Sequence, residues 1–99
     1  MISKKNRLSR FEFNQVKKSG RKIFHLSFLI FYVPGRNLKV SVVVSKKIAK
    51  KAVRRNLLRR HIYDHLAKHY PKLSHNIIIY LQKYEENLSA LDQALSKLP

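Results

Sequence analysis

The chain of 99 residues has no cysteine, only five acidic residues and no long apolar run. Without cysteine, neither a disulfide frame nor a thiolate metal site is possible. That absence fits a reducing, cytoplasmic setting. The longest apolar run, FLIFYV at 28–33, is too short to cross a membrane. The opening stretch MISKKNRLSRFEF carries charge with no apolar signal core behind it, so no secretory leader is expected. Breaks are scarce as well. Pro34-Gly35 is the one strong internal punctuation, and it reads as a turn rather than a domain boundary.

Hydrophobic residues make up 44% of the chain, enough for a core despite a net charge of +17. The length suits one small domain over residues 1–99. The charge is one-sided. Residues 1–60 carry 18 Lys and Arg against Glu12 alone, whereas residues 61–99 carry four basic and four acidic residues. General solubility does not require such asymmetry. Repulsion of this size needs a compensating anion, and a polyphosphate backbone is the first candidate, ahead of an anionic membrane.

The pattern predicts an α, β, β, α, β, α order. SRFE at 9–12 is a capping box, so a short helix should follow and stop near Gly20, with Phe13 and Val16 on one side. FHLSFLIFYV reads as a strand with Phe24, Leu26, Phe28, Ile30 and Tyr32 on one face, preceded by a possible short strand near 21–24. Its other face holds His25, Ser27, Leu29, Phe31 and Val33. A valine-rich strand at 38–45 places Leu38, Val40, Val42 and Val44 together, and PGRN is expected to join the two strands as an antiparallel hairpin.

The apolar spacing then changes from two to about four. Leu58, Ile62, Leu66 and Tyr70 mark a helix from about 49 to 69, ended by Pro71. NIIIYLQ at 76–82 is apolar throughout, which suggests a central strand and a βαβ crossover from the valine strand. Leu88, Leu91, Leu95 and Leu98 stripe a last helix. The expected class is α+β: an α/β two-layer sandwich, one sheet with helices packed on it.

KKIAKKAVRRNLLRR, residues 46–60, holds eight positive charges and no negative one. Traced backwards from Leu58, the apolar stripe of the helix meets Arg55 and Lys51. A charge is too costly to bury unpaired. The first half of the helix should therefore overhang the sheet or line an open groove. Lys46, Lys47, Lys50, Lys51, Arg54, Arg55, Arg59 and Arg60 cover nearly every azimuth, with Asn56 as the one polar neutral residue among them. A membrane-surface helix would need a large apolar face here, and only Val53 and Leu57 lie away from the core stripe. Folded RNA fits an element charged all round.

The stretch SKKIAKKAVRRNLLRRHIYD resembles the signature of the bacterial ribonuclease P protein subunit. The matching positions are Ser45, Lys46, Lys47, Ala52, Val53, Arg55, Asn56, Arg59 and Arg60. Arg7-Leu8, Phe13, Val16 and Gly20 are similar to that family's opening helix, and Phe31 falls where the family carries an aromatic on a sheet face. The chain departs from the pattern at Leu57, at Tyr63 and at Lys17, where the family usually or often has Arg, a basic residue and an aromatic.

The resemblance implies a ribosomal-protein-domain-like fold with a left-handed βαβ crossover, where the general rule would give a right-handed one. It also implies a ribonucleoprotein that removes 5′ leaders from precursor tRNA. Its partners are ribonuclease P RNA and precursor tRNA, with no membrane and no obligate protein partner. The RNA subunit would hold the catalytic Mg²⁺, and the protein would bind no cofactor or metal of its own. The single-stranded leader would lie in a cleft between helix and sheet, with Phe13 and Phe31 as stacking faces and Arg55, Asn56 and Arg59 beside them. For these residues to meet, the long helix must cover the Phe31 face of the sheet.

A nuclease acting alone would need paired carboxylates or a histidine pair. Glu12 and Asp64 are the only acids before Glu85. His61, His65 and His69 recur at chelating spacing but border the strip of Leu58, Ile62 and Leu66, and partly buried or surface histidines are the expected reading. The alternative from another class is a structural, ribosomal-type RNA-binding protein without a role in cleavage.

Overall fold

The computed structural model describes residues 6–84 and 87–98; residues 1–5, Glu85, Glu86 and Pro99 lie outside the described residues. The elements run α1 (Arg10–Ser19), β1 (Arg21–His25), β2 (Phe28–Pro34), β3 (Lys39–Val44), α2 (Ala52–His69), β4 (His75–Leu81) and α3 (Ser89–Leu95). The mixed α+β class and the order of elements are as expected.

The α1 capping box is formed. The Ser9 hydroxyl accepts the Glu12 N–H at 3.2 Å, and the Glu12 carboxylate accepts the Ser9 N–H at 3.0 Å. Gly20 closes the helix by donating to Val16 O at 2.7 Å. A Cβ at Gly20 would stand 2.3 Å from that oxygen, so only glycine fits there.

The four strands lie in the order β1-β2-β4-β3. This overturns the hairpin expected across PGRN. β2 and β3 do not pair. β4 lies between them, antiparallel to β2 (Ile30 opposite Ile79) and parallel to β3 (Val42 opposite Ile79). The physical reason lies in β4. Ile77, Ile78 and Ile79 are all fully buried, so this strand needs cover on both faces and takes the centre. The loop after Pro34 crosses the start of β4 closely enough that a Cβ at Gly35 would meet Asn76 Oδ1 at 2.8 Å.

The true hairpin lies earlier, between β1 and β2, with His25 opposite Phe28. Its two-residue turn is Leu26-Ser27, and Leu26 takes φ 51°, the region glycine usually fills. The turn reverses the chain, so Phe24 and Leu26 do not extend the Phe28–Ile30 face. Both are exposed.

The sheet carries helices on both faces. Phe28, Ile30, Val40, Val42, Ile77 and Ile79 meet Leu58, Ile62 and Leu66 of α2 and Leu91, Ala94 and Leu95 of α3 in the main core. On the opposite face, Val16 of α1 packs on Phe31 and Ile78, with Phe13, Leu29, Val43 and Tyr80 around them. The long helix therefore covers the Phe28 face, and the expectation that it covers the Phe31 face is wrong. Position parity in β2 decides this. The alternate residues Phe28 and Ile30 line up with Ile79 and Leu81 and with the valines of β3, and together they make the larger apolar surface.

Candidate nucleic-acid interface

α2 begins without the devices that usually start a helix. Lys51 stands at the N-cap with no side-chain cap, and the first turn holds no acid. The positive end of the helix dipole is thus joined by cations instead of being offset by carboxylates. Glu12, the only acid in the first 60 residues, gives no relief. Its carboxylate is engaged by Lys39 Nζ at 2.8 Å as well as by Ser9. The Lys39 hydrogen bond, followed by that from the Ser9 N–H, holds the Glu12 carboxyl below its ordinary range.

The basic residues divide by what they touch. Lys46, Lys47, Lys50 and Lys51 are exposed around the turn before α2. Arg54 Nη1 donates to Tyr84 Oη at 3.2 Å. Arg55 turns back, and its Nη1 donates to the carbonyls of Ala49 and Lys50 at 3.0 and 2.8 Å, bracing the loop that enters the helix. Arg59 donates to Asn56 Oδ1. Asn56, Arg59 and Arg60 line a cleft of about 300 Å³ together with Tyr63 and Arg7.

The expected convergence of Phe13, Phe31, Arg55, Asn56 and Arg59 on one groove is only partly met. Asn56 and Arg59 share a cleft, and Arg55 faces its own loop. Phe31 is 7% exposed, beneath α1 on the other face of the sheet from α2. Its ring meets Tyr80 edge-on at 5.6 Å. Phe13 is half-buried on that same face. The α1 face also holds groups that sequence reasoning missed. Lys17 Nζ lies 5.9 Å from the Tyr80 ring, and Lys22 Nζ lies 5.3 Å from the Phe31 ring. Tyr80 was hidden by the unbroken apolar run of β4, which masks the alternation between its faces.

In the histidine row, His65 is engaged by a carboxylate from α3. His65 Nε2 and Asp92 Oδ1 lie 2.7 Å apart, and Tyr70 Oη donates to the same oxygen at 2.7 Å. Burial pushes the Asp92 carboxyl up, but the hydrogen bonds with His65 and Tyr70 prevail and leave it below its ordinary value. Burial and the Asp92 contact push the Tyr70 hydroxyl up to about 12. Among the described residues, no group of three or more His, Cys, Asp or Glu could hold a metal ion. Among the same residues, no helix is long and apolar enough to cross a membrane.

Fold and surface together define a small basic α/β domain whose longest helix begins amid basic residues with no acid in its first turn. Comparison with known proteins narrows this class. The family model described as Ribonuclease P matches residues 2–98, and the chain belongs to that family. It is 29% identical over 97 residues to a ribonuclease P protein component of Desulfosudis oleivorans, covering 92% of this chain and 79% of that protein. The counterpart from Nitratiruptor sp. is 27% identical over 90 residues, covering 88% of this chain and 82% of that one. Among solved structures, a Staphylococcus aureus RNase P protein superposes with a TM-score of 0.80 at 22% identity, covering 92% of this chain and 93% of that one. One from Thermotoga maritima gives 0.67 at 22% identity, covering 94% and 83%.

Proposed function

We propose that this chain is the protein subunit of a ribonuclease P ribonucleoprotein, binding its RNA and the 5′ leader of precursor tRNA during leader removal. The observation that carries the reading is the state of α2. Eight cations in residues 46–60 surround a helix start that has no acid in its first turn, and Glu12 is committed elsewhere. A polyanion is the counterpart that suits such a surface. Lys46, Lys47, Lys50, Lys51, Arg54, Arg59 and Arg60 meet phosphates, while Arg55 keeps the entry loop in shape.

The leader path follows the α1 face of the sheet. Phe13 and the ring of Tyr80 offer stacking faces there, with Lys17 and Lys22 as cations. Phe31 supports Tyr80 from below rather than stacking on a base. Hydrolysis belongs to Mg²⁺ held by the RNA subunit. On this reading the protein's side chains bind and orient RNA and leave the chemistry to the RNA subunit.

The test is a cleavage assay with a bacterial ribonuclease P RNA and a precursor tRNA at low Mg²⁺. Leader removal should depend on added protein, and protein alone should be inactive. Tight RNA binding with no effect on cleavage would replace this reading with that of a structural, ribosomal-type RNA-binding protein.

A further inference from the structure

The two edges of the sheet are unlike. Along β3, Asn6 Nδ2 donates to Leu38 O at 2.7 Å, Leu8 N–H donates to Val40 O at 3.4 Å, and Tyr63 Oη accepts the Val42 N–H at 3.1 Å. That edge is covered by the chain itself. β1 forms the other edge, with β2 on one side and no strand on the other. Ile23 alone in β1 is buried, as part of the main core. Arg21, Lys22 and Phe24 are exposed.

The turn between β1 and β2 fixes which backbone groups face outward. A two-residue hairpin makes His25 and Phe28 a hydrogen-bonded pair, and the ladder's alternation makes Ile23–Ile30 and Arg21–Tyr32 the next ones. Lys22 and Phe24 therefore aim their N–H and C=O groups away from β2. Among the described residues, no loop, helix or side chain is hydrogen-bonded to these four groups. Open edges are usually guarded by charge, and Arg21 and Lys22 supply it. A guard alone does not account for Phe24, 67% exposed, or for Leu26 in the turn, 63% exposed. Phe24 belongs to neither apolar cluster.

We propose that the β1 edge is a docking site for an extended protein segment that carries both acidic and apolar residues and adds a fifth strand beside Lys22 and Phe24. A polypeptide backbone matches the four outward groups at strand spacing, and RNA has no such ladder to offer. The side chains select the segment. An apolar residue opposite Phe24 covers its ring, and carboxylates opposite Lys22 and Arg21 meet their charges. A second copy of this chain fits poorly, because it brings a net charge of +17 and its own Arg21 and Lys22 to the contact. The proposal concerns a protein partner and stands apart from the RNA-binding reading.

The experiment titrates the isotope-labelled full chain with a blocked probe peptide, acetyl-Thr-Leu-Val-Glu-Glu-amide, and reads backbone amide chemical shifts. Laid antiparallel to β1, the probe sets its leucine opposite Phe24 and its first glutamate opposite Lys22. Saturable shifts should centre on the amides of Lys22 and Phe24. Methylating the backbone nitrogens of the leucine and the first glutamate removes the two N–H groups aimed at β1, and should weaken binding on the order of tenfold. Methylating those of the valine and the second glutamate, which point away, should not. A probe with lysine in place of both glutamates should bind about tenfold more weakly, and the double variant Arg21→Glu/Lys22→Glu should reverse that preference.

Strand addition is overturned if excess probe shifts neither amide, or if both methylated probes bind as well as the plain one. Equal binding of the glutamate and lysine probes would remove the preference for an acidic partner. An oligouridylate that moves the Lys22 and Phe24 amides where the peptide does not would give the edge to RNA instead. Shifts of these amides with protein concentration alone would give it to a second copy of the chain.

Discussion

The hydroxyl of Tyr63 on α2 accepts the backbone N–H of Val42 on β3 at 3.1 Å. β3 is an edge strand, and a side chain here stands where a fifth strand would pair. Tyr63→Phe keeps the ring and removes the acceptor. It should lower stability by about 1 kcal/mol, read from the denaturant midpoint. An unchanged midpoint would mean that water replaces the hydroxyl in full.

The start of α2 sets stability against binding. Lys51 stands at an N-cap where aspartate would satisfy an N–H and offset the dipole. Lys51→Asp should stabilise the free protein by about 1 kcal/mol. The same change should weaken RNA binding and reduce the salt slope by about one. A variant that gains stability without losing affinity would remove Lys51 from the interface.

Phe31 and Tyr80 should separate in their effects. Phe31→Ala empties space beneath α1 and should cost about 3–5 kcal/mol of stability, with equal losses of affinity for precursor and mature tRNA. Tyr80→Ala should cost roughly 1–3 kcal/mol of affinity for precursor tRNA and leave mature tRNA nearly unaffected. Leader-selective loss at Phe31 would restore it as a stacking face.

Acid should loosen the contact between α2 and α3. Asp92, in contact with His65 and Tyr70, titrates below its ordinary value of 3.8. A lowered carboxyl contributes stability above its unfolded value, and that contribution disappears as pH falls through the folded one. Wild type should therefore lose stability faster than Asp92→Asn below about pH 4. Parallel acid unfolding curves would show that the pair adds nothing. At the alkaline end, one tyrosine should ionise near 12 in an absorbance titration, and Tyr70→Phe should remove that step.

Much of the fold was legible where one local signal had one local meaning. The capping box at Ser9 and Glu12, the four-residue spacing of Leu58, Ile62 and Leu66, and the unbroken apolar run of β4 each led to the element observed. What escaped depended on competition between distant segments. PGRN has the chemistry of a hairpin turn, but β4 takes the place beside β2, and nothing near residue 35 reports that. The Leu26-Ser27 turn lacks the glycine or asparagine that would signal a positive φ. The cations of α2 could be counted from the sequence, but not assigned. Whether Arg55 faces RNA or its own loop depends on the carbonyls of Ala49 and Lys50. Arg7 and Tyr63 meet only because the N-terminal segment lies along β3.

The two apolar clusters lie on opposite faces of one sheet and differ greatly in size. Lifting α1 away would cost the Val16 and Phe13 contacts and the Glu12–Lys39 ion pair, while α2 and α3 still covered Phe28, Ile30, Ile77 and Ile79. Backbone amides of α1 should accordingly exchange with deuterium through a sub-global opening, and those at the centre of β4 only through complete unfolding. α1 is thus the more separable cover, on the sheet face proposed for the leader, and RNA seated there should slow the exchange of α1 before that of any other helix.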